Sequence, residues 1–320
     1  MTLYRHFAPV RLGQRYTLCL VGKLKQQMTH PPVSISNISW VEPNRANTPP
    51  LHIASSGERY STLTGVWWLN DHLFVVNHRS GLRVALFDLH AVKNPVSTAV
   101  LPHLTDDIAA RKIGGELWEV VVSGCWDAAF SILQLTTGGK PKFKLVHTQP
   151  HKDRTFCHGV AYGQNGVLAL AYHTGANPHI RIGNQVWKLP APWGARDICF
   201  DKNSGDYYSV AVSENPKKAA YKSADTSIWI LKKGVDVWRQ THTLEGVHSD
   251  TCQVFGEKLW IPDQNNDALL GICIKREEPT VTVKSPSFDF PHGISVSSQG
   301  LLAVTNYGSS AISLIDITTM

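Results

Sequence analysis

Short apolar runs rich in Val, Ile, Leu and aromatic residues recur from Thr64 to Ile317, each ended by a turn built from Gly, Asn, Asp or Ser. Within the runs, apolar and polar positions alternate with period two, and no segment sustains a helical period. The pattern predicts short antiparallel strands throughout. The runs also recur in sets. CHGVAYGQNGVLALAY, Cys157 to Tyr172, overlays PHGISVSSQGLLAVTN, Pro291 to Asn306, without a gap, so that His158 falls on His292 and Gly159 on Gly293. TGVWWLNDHLFVVN from Thr64, RDICFDKNSGDYYSVAV from Arg196 and SDTCQVFGEKLWIPD from Ser249 fit the same frame with altered hairpins, and TDDIAARKIGGELWEVVV from Thr105 is a degenerate copy.

The opening positions of the six sets are Thr64, Asp106, His158, Arg196, Asp250 and His292, at intervals of 38 to 54 residues. Units of about 45 residues built from short strands fall in the range of propeller blades. The predicted fold is all-β: a six-bladed β-propeller of four-stranded antiparallel blades. After His292 the chain has room for only three strands, so the fourth must come from the N-terminal side, from VSISNISWV or RYTLCLVGK. Such closure removes the open sheet edges. The expected organisation is a basic, Pro-containing segment over residues 1–50, supplying the closing strand, and a propeller over residues 51–320.

Composition narrows the classes of function. The chain has 320 residues, 42% of them hydrophobic and 18% charged, enough for a large core and no basis for global disorder. No apolar run is long enough to span a membrane as a helix. The net charge of +6 is spread over small groups such as Lys140, Lys142 and Lys144, without the basic stripe that nucleic acid requires. Neither a membrane nor a nucleic acid is expected as a partner, and the chain is expected to act as a monomer. The six cysteines, Cys19, Cys125, Cys157, Cys199, Cys252 and Cys273, form no CxxC pair and read as reduced, buried thiols of an intracellular protein. Met1 to Val41 contains no acidic residue. Cytoplasmic residence is the expectation, with organellar targeting the alternative that this basic N-terminus supports.

The frame HGI, a Gly-containing hairpin, LLAVTN, a polar turn and AISLIDI resembles the NHL-type propeller repeat, and VVNHRSGLRVALFDL and IPDQNNDALLGICI are similar to its second half. The resemblance runs from Thr64 to Ile317 and implies a propeller that binds a protein or small-molecule ligand at one mouth of its channel. SGCWDAAFSIL, around Trp126 and Asp127, is similar to a WD40 turn but occurs once.

In a propeller the first residues of the innermost strands gather at one channel mouth, so Thr64, Asp106, His158, Arg196, Asp250 and His292 should face one another. Two imidazoles and two carboxylates there can hold a divalent metal or act as acid and base, while Arg196 suits an anionic group. The same histidines, carboxylates and arginine can equally form a purely structural network that holds the ring. Pro291-His292 is similar to the Pro-His openings that hold zinc in peptidylglycine amidating lyase, and the virginiamycin-type lyases are related propellers with a catalytic histidine. His158 matches apart from Cys157 in place of proline, but only two such histidines are present and Arg196 opposes a metal. Gluconolactonase-type propellers would imply calcium at Asn77, Asp263 and Asn306, although such strand-end residues usually satisfy turn backbones. The sequence holds no GxSxG, HExxH, GxxxxGK[ST] or GxGxxG motif. The reading is therefore a ligand-binding propeller. The alternative is a lyase or hydrolase, dependent on zinc or calcium, with His158, His292 and Arg196 as catalytic groups, Thr64, Asp106 and Asp250 binding the ligand, and His158 and His292 as metal ligands.

Overall fold

The computed structural model describes residues 10–12, 15–17, 33–35 and, between 63 and 318, all but 80, 92–94, 125–126, 151–154, 174–176, 214–224, 275–277, 285–287 and 310. Six four-stranded antiparallel sheets follow one another along the chain. Blade I comprises Leu63–Trp68, Leu73–His78, Arg83–Asp88 and Ser97–Val100, and blade II comprises Ile108–Gly114, Leu117–Gly124, Ala129–Thr136 and Lys142–Pro150. Blade III holds Cys157–Tyr162, Leu168–Tyr172, His179–Ile182 and Gln185–Trp187; blade IV holds Trp193–Phe200, Tyr207–Ser213, Thr226–Leu231 and Arg239–Leu244. Blade V is Gln253–Phe255, Lys258–Asp263, Ala268–Cys273 and Glu278–Lys284. Blade VI is Pro291–Val296, Leu301–Asn306, Ala311–Asp316 and, from the N-terminal side, Val33–Ile35. This is a six-bladed β-propeller.

The closing strand comes from VSISNISWV: Val33 lies opposite Leu314 and Ile35 opposite Ile312. Arg15–Thr17, in the other candidate, pairs instead with Val10–Leu12. The first strand of each blade lies beside that of the next, and Pro291–Val296 lies beside Leu63–Trp68, which completes the ring.

Strand alternation explains how the ring is held. In blade I, Val75, Val84 and Leu86 point into a core shared with blade II, whereas Phe74, Val76, Ala85 and Phe87 point into one shared with blade VI. Every blade does the same with its neighbours, giving six interblade cores in place of one central core. Three tryptophans of the inner strands, Trp67, Trp68 and Trp193, belong to these cores. Trp68 is buried against Phe74, while Trp67 and Trp193 are half-buried at blade interfaces. Cys157, Cys199, Cys252 and Cys273 are buried free thiols, as expected; Cys19 and Cys125 lie outside the described residues.

The glycine that follows the opening residue has a packing role. A Cβ on Gly293 would sit 2.0 Å from the Thr64 carbonyl oxygen, one on Gly159 would sit 2.4 Å from Asp197 Cα, and one on Gly65 would sit 2.9 Å from Ile108 N. Inner strands of adjacent blades therefore meet backbone to backbone near the axis. Where blades II and IV carry aspartate at the equivalent place, the carboxylate reaches across instead. Asp107 accepts the Val160 N–H at 2.9 Å, and Asp197 accepts the Cys252 N–H at 2.7 Å. Among the described residues no helix is long and apolar enough to cross a membrane.

Candidate functional site

Five of the six opening residues converge at the axis. Asp106, His158, Arg196, Asp250 and His292 are each at most 8% exposed. His158 and His292, from blades on opposite sides of the ring, lie nearly parallel with ring centroids 5.9 Å apart. Each turns Nε2 toward the carboxylates: His158 is 3.8 Å from Asp106 and 3.8 Å from Asp250, and His292 is 3.8 Å from Asp106 and 3.3 Å from Asp250. Arg196 Nε lies 3.7 Å from Asp250. Thr64 joins the ring through its backbone, where its carbonyl accepts the Thr305 hydroxyl. The Thr64 hydroxyl is buried with no hydrogen-bond partner among the described residues.

A second tier surrounds this set. The residue just beyond the second strand is Arg79 in blade I, His173 in blade III, Gln264 in blade V and Tyr307 in blade VI. Gln264 Nε2 donates to Asp250 at 2.8 Å, and His248, two residues before Asp250, places Nε2 3.2 Å from it. Tyr307 stacks on His292 with centroids 5.5 Å apart, and His173 meets His158 edge-on at 5.3 Å. None of these was singled out as a site residue. The repeat frame contains the signal, because Arg79, His173 and Tyr307 each lie 15 residues after the opening residue of their blade and Gln264 lies 14 after Asp250, where the hairpin is shorter.

Electrostatics sets the two histidines apart. Burial pushes His158 down to about 4, and the carboxylates at 3.8 Å only partly offset this. Burial also works against charged His292, but its hydrogen bond to Asp250 and the nearby carboxylate charges win and hold it above its ordinary value. The 3.3 Å approach to Asp250 accounts for the difference. Burial likewise opposes charge on Asp250 and Asp106. His248 and Arg196 more than compensate Asp250, and His158, Arg79 and His292 do so for Asp106, so both carboxyls stay below the usual carboxylate range. Burial, with Arg196 beside it, keeps His173 neutral.

Asp106, His158 and His292 are also spaced to hold a cation. One donor atom from each lies within 4.8 Å of the others, all buried. Asp106 Oδ1 makes no hydrogen bond, and neither does Nδ1 of His158 or of His292. Donors about 2.0–2.1 Å from a tetrahedral ion lie about 3.3 Å apart, slightly less than the 3.8 Å seen here. The residues fit a divalent ion. The alternative set of Asn77, Asp263 and Asn306 serves the backbone in two of three cases. Asp263 accepts N–H groups from the turn that follows it, and Asn306 accepts the Asp289 N–H and donates to Ser313. A groove of about 760 Å³ between blades IV and V, lined by Tyr208, Ile228, Arg239 and Leu259, contains none of the opening residues.

No protein-family model matches this sequence, and no curated protein matches it either. Its fold does have relatives among solved structures. A luciferin-regenerating enzyme aligns with 13% identity over 82% of this chain and 93% of its own, with a TM-score of 0.59. The PQQ-bound aldose sugar dehydrogenase of Streptomyces coelicolor aligns with 10% identity over 82% and 96%, with a TM-score of 0.57. A streptogramin B lyase aligns with 10% identity over 81% and 95%, with a TM-score of 0.50. At these identities the likeness shows the fold alone, and the chemistry has to be read from the site.

Proposed function

We propose that this protein is a metal-dependent propeller enzyme of the lyase or hydrolase type, acting on a small molecule at the channel mouth. One observation carries the reading: the Nε2 atoms of His158 and His292 both face the Asp106 carboxylate, whose Oδ1 makes no hydrogen bond, at spacings that suit a shared cation. The same contacts between blades II, III, V and VI also suit a network that holds the ring, and the metal content of the protein decides between the two. The NHL-like repeat pattern is compatible with either role.

Asp106, His158 and His292 would hold the ion. When bound, a divalent ion there would polarise a substrate oxygen or acidify a water. The protein's own groups supply the rest. Asp250 fixes His248 through a 3.2 Å contact to Nε2, the pairing that orients an imidazole for proton transfer. Gln264 and Arg196 hold Asp250 in turn, at 2.8 and 3.7 Å. Burial of the set excludes bulk water and strengthens each interaction.

The test is elemental analysis of purified protein beside the His158→Ala/His292→Ala double variant. One divalent metal per chain, lost in the variant while the β-sheet spectrum and cooperative melting persist, supports the proposal. Metal-free wild type that also fails to bind added zinc or calcium removes it.

A further inference from the structure

Away from the channel mouth, two cysteines meet across a blade seam. Cys199, three residues after the opening residue of blade IV, and Cys252, two residues after that of blade V, place their sulfurs 3.5 Å apart. The backbone builds this approach. Asp197 accepts the Cys252 N–H at 2.7 Å, which draws the start of the inner strand of blade V against blade IV, and Cys199 lies two residues beyond Asp197 on the same side of its strand. Both thiols belong to the apolar core between these blades, with Val210, Ile228, Leu259 and Ile261 around them. Cys157 belongs instead to the core between blades II and III.

A groove enters the same seam. The space of about 760 Å³ between blades IV and V reaches Tyr208 and Leu259, which are members of that core, and Tyr208 is the cross-strand partner of Cys199. A small solute in the groove therefore stands beside the immediate neighbour of the thiol pair. Cys199 and Cys252 are 7% and 5% exposed, so bulky reagents are kept out. Burial, with Cys199 beside it, holds the Cys252 thiol well above its ordinary range, which makes its reaction slow and favours sustained over brief exposure to an oxidant. A disulfide needs the sulfurs at about 2.0 Å, so each has to move by less than about 1 Å.

We infer that Cys199 and Cys252 form a redox modification site, closing to a disulfide across the IV–V seam when the protein meets hydrogen peroxide or a small organic hydroperoxide, and reopening with a thiol reductant. One sulfur, as its thiolate, attacks a peroxide oxygen; the O–O bond breaks, the departing oxygen takes up the thiol proton and leaves as water or an alcohol, and a sulfenic acid remains. The other sulfur attacks that sulfur and expels its hydroxyl, which leaves as water with the second thiol proton. The two thiols lose two electrons and two protons, and the peroxide gains both. The bridge closes a loop that contains the three outer strands of blade IV, and it ties the inner strands of both blades beneath Arg196 and Asp250.

The test uses the full chain, reduced, desalted and incubated with hydrogen peroxide well below its melting temperature. Free thiols are then capped with N-ethylmaleimide under denaturing conditions, and the digest is mapped by mass spectrometry. The expected result is a Cys199–Cys252 cross-linked peptide that dithiothreitol removes, with Cys157 and Cys273 recovered in capped form. The oxidised protein should also melt higher, by about 6 °C on the loop-entropy scale for a bridge between these positions in a chain of 320 residues. Cys199→Ser and Cys252→Ser should each abolish both the cross-link and the rise. Sulfinic or sulfonic acid at either position without a bridge overturns the inference, as does a bridge through another cysteine, or both thiols still open to capping at the end of the exposure. An oxidised protein that melts no higher than the reduced one overturns it too. The peptide map is made on the wild type, so it decides even where a serine variant fails to fold.

Discussion

Replacing Gly293 by alanine should loosen the seam that closes the propeller. The added Cβ would lie 2.0 Å from the Thr64 carbonyl oxygen and 2.9 Å from Gly65 Cα, where ordinary contact begins at 3.4 Å. Both atoms are backbone, so neither can swing aside, and blades VI and I must part by roughly 1 Å or more. Overpacking of this kind costs about 1–3 kcal/mol. The same movement strains Thr305, whose hydroxyl accepts the Gly293 N–H at 2.8 Å and donates to the Thr64 carbonyl, a loss of about 1 kcal/mol per hydrogen bond. Together these terms come to about 3–5 kcal/mol, which at about 2.1 cal/mol/K per residue over the 320 residues corresponds to a fall in Tm of about 4–7 °C. Differential scanning calorimetry on Gly293→Ala and Gly114→Ala provides the comparison, because nothing lies within 4 Å of a Cβ at Gly114. If the two variants melt within about 2 °C of each other, close backbone approach is not what requires glycine at this position.

Three further outcomes follow from the same geometry. Phe87→Ala, at a fully buried ring stacked 5.7 Å from Phe74, should cost about 3–5 kcal/mol in urea denaturation. Asp197 is held well above the ordinary carboxylate range by burial and by Asp107, so the native state keeps a proton that the unfolded chain releases above about pH 4; its contribution to stability is full below that pH and declines as pH rises toward the raised value. Asp197→Asn should flatten that decline, and Asp197→Ala, which leaves the buried Cys252 N–H unpaired, should cost about 1–3 kcal/mol in acid; pH-dependent denaturation curves for the three proteins check both. Removing residues 1–36 deletes the strand paired with Ala311–Asp316 and exposes its backbone edge, so the truncated chain should melt earlier and self-associate in light scattering, whereas unchanged melting would mean that Val33–Ile35 is dispensable for closure.

Repeat arithmetic made much of this molecule legible from residues alone. Period-two alternation fixed the strand class, and the gap-free overlay of His158 on His292 set the blade phase, because blades must be in phase for their inner strands to meet at one axis. That phase is why five opening residues could be placed together although the first and last, Asp106 and His292, are separated by most of the propeller. Side chains beyond the frame were harder to read. Arg79, His173, Gln264 and Tyr307 differ in type, and propensity gives no reason to single out a turn residue after a strand. They matter only because antiparallel pairing returns the chain to the mouth it left, so that the residue after each second strand stands beside the opening residue of its blade.

The roles of Asp107 and Asp197 were hidden for a related reason. In blades I, III and VI glycine follows the opening residue, and a reader of the repeat takes aspartate there as a lapse in the pattern. The structure shows glycine at three seams and aspartate at two, while at the V–VI seam the Thr251 hydroxyl donates to the His292 carbonyl. Inner strands close to the axis must either touch, which requires glycine, or leave a gap in which the next blade's N–H groups need an acceptor. Aspartate fills that gap at the blade II–III and IV–V seams. The seams that use glycine bring the Thr64 and Arg196 carbonyls close to the backbones of Gly293 and Gly159. Those that use aspartate place a carboxyl, held toward its neutral form by burial, directly beneath the charged groups of the mouth. Asp107→Gly with Asp197→Gly, which removes both carboxylate acceptors, should weaken the ring at the II–III and IV–V interfaces while leaving the His158–His292 stack in place, a combination that denaturation and histidine NMR together can read.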